Sequence, residues 1–125
     1  LSLRLAYEAG VPLAMGSDAG TPLNFHGENG LEIHWMQQAG MSAMDAIVSA
    51  TGNAARALGR DAWLGTLAPG KAADLAVFDE NPLDDLRILA DKPRLQFVMK
   101  SGKVAVLRKG LDMPEELLDE HVLQN

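Results

Sequence analysis

Apolar and polar positions change their period along the chain, and each period predicts a different element. Residues 1–9 have apolar side chains spaced as on one helix face, and Gly10 suits the left-handed position that ends a helix. The apolar run 11–15 follows at once. A run of that length beside a helix predicts a strand covered on both faces, as in a parallel sheet. A loop rich in glycine, threonine, proline and asparagine then covers 16–27.

Helical spacing returns after this loop. A helix is predicted over about 28–39, ending at Gly40. Ser42 can cap a further helix with Asp45 at the third position, which is close to a capping box. Gly59 follows as the stop. The apolar positions of this helix keep helical spacing and are Met44, Ile47, Val48, Ala54, Ala55 and Leu58.

The rest of the chain favours β-structure. Residues 64–78 predict a short strand, a Pro-Gly turn and a longer strand, and 81–89 predict a turn with one helical turn. Residues 96–100 and 103–108 form a predicted hairpin around a Ser-Gly turn. Residues 114–123 suit a short terminal helix.

Composition limits the classes of partner and site. The 125 residues fit one average domain or two small ones, and a hydrophobic share of 47% is enough for a core. No run approaches the ~20 apolar residues that a membrane span needs. A formal net charge of -6 argues against nucleic acid and anionic membranes as partners. The absence of cysteine excludes disulfides and thiolate metal sites, and a cytoplasmic location is expected.

Asp18 is the first candidate for chemistry. It lies in the stretch MGSDAGTP, residues 15–22, directly after the apolar run. Ligands of parallel α/β folds gather at the carboxyl ends of strands, and small neighbours let a metal ion or substrate approach closely. A turn-capping role explains an aspartate in a glycine-rich loop equally well. The residues alone leave both interpretations open.

His26 is the second candidate, as a ligand, a proton carrier or a surface residue. Asp18 and His26 make at most two metal ligands, fewer than the three or four that zinc usually takes from protein. His34, beside Trp35, is expected to pack. Lys71, after a Pro-Gly pair, is expected to be a solvated turn residue. The dispersed methionines are expected to fill the core.

Several segments, taken together and in order, resemble the carboxyl-terminal part of the amidohydrolase superfamily, in its imidazolonepropionase-like and prolidase-like branch. The resemblance covers about residues 5–106. Its segments are GSDAGTP at 16–22, AGMSAMDAIVSATGNAA at 39–55, LGTLAPGKAADLAVFD at 64–79 and VMKSGKV at 98–104.

This resemblance implies a (β/α)8 TIM barrel that carries one or two divalent metal ions, expected to be zinc, with a small β-sandwich beside it. The aspartate after the eighth strand of such enzymes binds metal and serves as the general base, and Asp18 stands at that position. His26 stands where loop residues contact substrate. The implied reaction is hydrolysis of a C–N bond in a small amide, such as a dipeptide, an N-acyl amino acid or a cyclic amide.

The same resemblance implies a fragment of an α/β enzyme. Residues 1–60 would end the barrel, 61–112 would belong to the β-sandwich, and 113–125 would form a tail helix. The other histidine ligands and barrel strands of the family would lie before residue 1. The isolated chain is therefore expected to be inactive and to associate with itself or with the missing amino-terminal half. The alternative is a non-catalytic α/β module that acts through protein–protein contacts.

Overall fold

The computed structural model describes residues 2–22 and 25–120. Within these ranges the chain forms short helices followed by a small sheet. The α-helices are α1 (Ser2–Glu8), α2 (Gly30–Gln38), α3 (Ala43–Ala50) and α4 (Gly52–Ala57). The strands are β1 (Leu75–Phe78), β2 (Leu95–Lys100) and β3 (Lys103–Leu107). Three 3₁₀ helices complete the order, η1 (Leu86–Ala90), η2 (Lys92–Arg94) and η3 (Glu115–Leu117).

The three strands form one antiparallel sheet in the order β1-β2-β3. The predicted hairpin is confirmed: β2 and β3 are joined through Ser101 and Gly102, with φ of 50° and 81°. Two successive positive φ angles are typical of the tight turn that matches strand twist. The register shifts between Val98 and Met99, so one residue of β3 bulges from the pairing.

The glycine stops and the predicted cap of α3 are confirmed. Gly10, Gly40 and Gly59 have φ of 74°, 116° and 63°. The Ser42 hydroxyl accepts a hydrogen bond from the Asp45 backbone N–H at 3.1 Å. This bond satisfies one of the donors that a helix start leaves free.

The prediction of one helix from Ser42 to residue 58 was wrong. Thr51 interrupts it, with φ -123° and ψ -91°, and separates α3 from α4. The Thr51 hydroxyl donates to the Ile47 carbonyl at 2.8 Å, a local bond that competes with the helical pattern. Gly52 follows and adds conformational freedom at the break.

A small core lies where α2, α3 and η1 meet. Its buried members are Ile33, Met36, Met41, Ala46 and Leu86. Met36 and Met41 fill the core as predicted for the methionines, whereas Met44 does not, because it is exposed. The apolar face predicted for α3 and α4 was partly wrong, because Met44, Val48 and Leu58 are 52%, 37% and 75% exposed.

Residues 11–15 were predicted as a strand covered on both faces, but they do not form a strand. The segment has no strand partner within the described residues, since the sheet is built from 75–107. It lies instead along α3 and α4. The Met15 N–H donates to the Ser49 carbonyl at 2.9 Å, and the Asn53 amide donates to the Leu13 carbonyl at 3.0 Å. One side is thus covered and the other is open, with Val11 51% exposed.

The short strand predicted near residue 64 is also absent, and Lys71 is not simply solvated. Gly65 packs against α4, where an added Cβ would lie 2.6 Å from the Ala55 Cβ. This close approach holds the segment on the helices and away from the sheet. The Lys71 ammonium donates to the carbonyls of Asp61 and Leu64 at 2.6 and 3.4 Å, which fixes the turn.

The turn and helical turn predicted at 81–89 are confirmed. The Asn81 side chain accepts from the Leu83 N–H at 3.1 Å, and Asp85 caps η1 by accepting from the Arg87 N–H at 3.0 Å. Of the predicted terminal helix, residues 115–117 form η3 and residue 120 is helical, with 118–119 non-helical between them, and residues 121–123 lie outside the described residues.

The chain after η3 returns to the sheet. Leu118 forms a parallel bridge with Val104, and the Asp119 N–H donates to the Val104 carbonyl at 2.9 Å. The division of the chain near residue 60 stays a prediction. In the described ranges, no helix is both long enough and apolar enough to cross a bilayer.

Candidate functional site

Asp18 lies at the end of the segment that runs along α3 and α4. Along 13–18 the exposure alternates: Leu13, Met15 and Ser17 are half-buried, and the residues between them are exposed. Such alternation is typical of extended backbone with one covered face. The Asp18 side chain belongs to the exposed set, on the open side of the segment.

The backbone of Asp18 is in the left-handed region, with φ of 49°. Aspartate adopts this conformation more readily than most residues other than glycine. The Asp18 carbonyl accepts a hydrogen bond from the Thr21 N–H at 3.3 Å, which closes a turn immediately after the segment. Strained conformations of this kind cluster at functional sites, so the observation motivates a functional hypothesis for Asp18.

Gly20 brings His26 close to this turn. The glycine has a φ of 100°, and an added Cβ there would lie 3.1 Å from His26 Nε2. The His26 ring therefore lies against the backbone two residues after Asp18. The sequence showed the glycine but not this contact, because a contact across a loop has no periodic signal.

Asp18 and His26 offer two donors of the kind that bind a metal ion. A carboxylate and an imidazole are both suitable ligands for a divalent ion. However, residues 2–22 and 25–120 contain no group of three or more histidine, cysteine, aspartate or glutamate side chains that could hold one. These described residues therefore do not form a complete metal site by themselves.

Another acidic position, Asp85, has a structural role. Arg87 donates to both of its carboxylate oxygens, at distances between 2.7 and 3.1 Å. These bonds, with the Arg87 backbone N–H, lower the pKa of Asp85 to about 2. A carboxylate held ionised in this way is a poor general acid, so the 81–85 segment is explained by its cap.

His34 packs as expected, with its ring centroid 5.0 Å from that of Trp35. Its Nδ1 is buried without a hydrogen-bond partner in the part of the chain that the structure describes. Sequence reasoning missed the close approach of Gly30 to η1, where an added Cβ would lie 2.3 Å from the Leu89 carbonyl oxygen. It also missed the approach of Lys92 to Gly27, where an added Cβ would lie 3.9 Å from Lys92 Nζ.

A comparison with models of protein families identifies the family to which the chain belongs. Residues 1–105 match the model of the amidohydrolase family. The chain belongs to the amidohydrolase family. The resemblance stated from the sequence motifs is thereby confirmed, and the match extends over the loop that carries Asp18 and His26, over β1 and β2, and into β3.

Individual amidohydrolases agree with this assignment. Ochratoxinase from Aspergillus niger is 35% identical over 101 residues, which are 79% of this chain and 20% of the relative. Imidazolonepropionase from Geobacillus kaustophilus is 32% identical over 105 residues, which are 82% of this chain and 24% of the relative. The structure of a Xaa-Pro dipeptidase with methionine bound in its active site superposes with a TM-score of 0.74 and 40% identity.

That superposition covers 82% of this chain and 24% of the dipeptidase. The chain thus spans about a fifth to a quarter of the length of these relatives. The predicted branch was imidazolonepropionase-like and prolidase-like, and these relatives include an imidazolonepropionase and a Xaa-Pro dipeptidase.

Proposed function

We propose that this chain is the carboxyl-terminal part of a metal-dependent amidohydrolase that hydrolyses a C–N bond in a small molecule. The family match over residues 1–105 carries the proposal. The share of each relative that the chain spans supports a longer parent protein. In this account residues 1–60 end a TIM barrel, 61–112 belong to a β-sandwich, and 113–125 form the tail.

Asp18 is the residue of this chain that we assign to the reaction. It would contribute one carboxylate ligand to a divalent ion, for which zinc is the first candidate. A divalent ion supplies catalysis by lowering the pKa of bound water from about 16 toward ~7. The Asp18 carboxylate would accept a proton from the attacking water and return it to the departing amine. Its exposed position and left-handed backbone support this role.

His26 is assigned to substrate contact. Its ring lies against Gly20, on the same turn as Asp18, and is exposed. An imidazole side chain at that place can form a hydrogen bond with a polar group of the substrate. The proposed substrates are dipeptides, N-acyl amino acids or cyclic amides. The Xaa-Pro dipeptidase and imidazolonepropionase relationships support this range.

The alternative, a non-catalytic module acting through protein–protein contacts, is less well supported. It requires no carboxylate at Asp18 and leaves the family match unexplained.

The experiment uses the full-length parent protein with and without a divalent ion, assayed on a panel of dipeptides and N-acyl amino acids. Asp18→Asn is the test variant, because asparagine has nearly the same shape and also tolerates a positive φ. We expect kcat to fall by about a hundredfold or more, since the proton acceptor is lost. Asp61→Asn, in an exposed turn distant in sequence, is the matched control and should retain activity.

Retention of most activity by Asp18→Asn would overturn the assigned role. Absence of metal-dependent hydrolysis in the parent, on every substrate tested, would overturn the proposed function as a whole.

A further inference from the structure

A second groove opens beside the candidate site, on the sheet side of the loop. It has a volume of about 490 Å³ and begins at Gly27, the residue after His26. The residues that line it are Gly27, Lys92, Pro93, Leu95, Val106 and Arg108. They come from the loop, η2, β2 and the end of β3, so the groove depends on the tertiary fold.

The groove combines an apolar floor with positive charge. Pro93, Leu95 and Val106 supply apolar surface, and Val106 is 48% exposed. Lys92 and Arg108 are the charged residues of the lining, and no described carboxylate lines it. This arrangement is unusual in a chain whose formal net charge is -6.

Among the residues that the structure describes, the two cations have no partner. Across residues 2–22 and 25–120, neither the Lys92 ammonium nor the Arg108 guanidinium forms a hydrogen bond or an ion pair. Lys100, by contrast, pairs with Asp74 at 2.8 Å. Two unpaired cations on one groove produce a local positive potential that attracts an anion.

The neighbouring groove shows the opposite arrangement. It has a volume of about 780 Å³ and shares Lys92, but acidic residues line it as well. Its Arg87 pairs with Asp85 at 2.7 Å, and its Arg94 pairs with Glu80. Its charges thus neutralise one another, and it has no comparable attraction for an anion.

We propose that the groove at Gly27 binds a small apolar molecule that carries a carboxylate. Lys92 and Arg108 would bind the carboxylate, with the arginine able to donate two parallel hydrogen bonds. The apolar group would cover the floor formed by Pro93, Leu95 and Val106. The proposal rests on this groove and not on a catalytic role of Asp18, so either can fail without the other.

The test is equilibrium dialysis of the 125-residue chain against 3-phenylpropionate and against 3-phenylpropanamide, which have the same apolar group. Only the first is an anion. We expect the propionate to bind roughly tenfold more tightly, and the difference to shrink at high salt. Inorganic phosphate, which has charge without an apolar group, should bind more weakly than the propionate.

Three variants locate the site. Lys92→Gln and Arg108→Gln should each weaken propionate binding by roughly three- to tenfold, because each removes a charged donor. Lys109→Gln removes the next charge along the chain, outside the groove lining, and should leave binding unchanged.

Equal binding of the acid and the amide would overturn the proposal, as would phosphate binding as tightly as the propionate. Equal effects of Lys92→Gln and Lys109→Gln would show a general charge effect and would overturn it too. All variants replace exposed side chains, and circular dichroism checks that each keeps the fold.

Discussion

The absence of a side chain at Gly30 determines how closely α2 approaches η1. Gly30, the first residue of α2, lies directly against η1. An added Cβ would stand 2.3 Å from the Leu89 carbonyl oxygen and 3.0 Å from the Ala90 nitrogen. Backbone atoms cannot yield as a flexible side chain can, so a side chain at residue 30 would separate the two elements.

Gly30→Ala is therefore expected to destabilise the fold by about 2 kcal/mol or more, measured as a shift in urea unfolding. The matched control is Gly16→Ala, because Gly16 has no positive φ and open space around its Cβ position. The control should change the free energy of unfolding by less than about 1 kcal/mol. Equal effects of the two substitutions would contradict the close approach.

At the scale of elements, a hydrogen-bond network joins α1 to α3. The Tyr7 hydroxyl donates to Asp45 Oδ2 at 2.5 Å, and the Ser42 hydroxyl donates to the same oxygen at 2.6 Å. The bond from Ser42 and then that from Tyr7 lower the pKa of Asp45. The carboxylate thus serves both as part of the α3 cap and as the attachment point for α1.

Because the pKa of Asp45 is lowered in the folded state, its ionised carboxylate stabilises the fold at pH values above the ordinary pKa of aspartate. This contribution is lost as the pH falls through the lowered value. Tyr7→Phe removes one donor, so we expect the pKa of Asp45 to rise toward its ordinary value. A carboxyl NMR titration of both chains measures it. An unchanged pKa would show that Tyr7 does not donate to Asp45 in solution.

The contact between β3 and the chain after η3 makes a second prediction at this scale. The chain has no cysteine, so a pair introduced at Val104 and Leu118 would be the sole thiols. Paired residues on adjacent strands are close enough for a disulfide, and we expect an intramolecular one on mild oxidation. Ala76→Cys with Leu118→Cys is the control, because residue 76 lies on β1, which β2 separates from β3. Equal yields from both pairs would contradict the assigned register.

At the scale of the whole molecule, the open side of the 11–18 segment is the most informative surface. Val11 there is 51% exposed, and Leu5 on α1 is 60% exposed. Exposed apolar surface of this kind favours association. The described residues also lack a complete group of metal ligands.

We therefore expect the isolated chain to self-associate and to show no metal-dependent amide hydrolysis. Light scattering after size-exclusion chromatography measures the mass of the associated species. Val11→Lys should shift the chain toward monomer. Turnover by the 125-residue chain alone would contradict the second expectation.

Local signals in the sequence were sufficient for caps, turns and the hairpin. The glycine stops, the Ser42 cap and the Ser-Gly turn depend on one or two residues each, and all are confirmed. Strands at 11–15 and near 64 could not be predicted correctly, because a strand needs a neighbour that local sequence does not specify. The contact of His26 with Gly20 and the groove at Gly27 depend on the tertiary fold, which has no local signal.

The most direct measurement for the central claim is anomalous X-ray diffraction from crystals of the full-length parent grown with zinc. The account predicts an anomalous peak with an Asp18 carboxylate oxygen about 2.0–2.2 Å from it. A zinc ion bound by other residues, with the Asp18 carboxylate directed into solvent, would contradict the account.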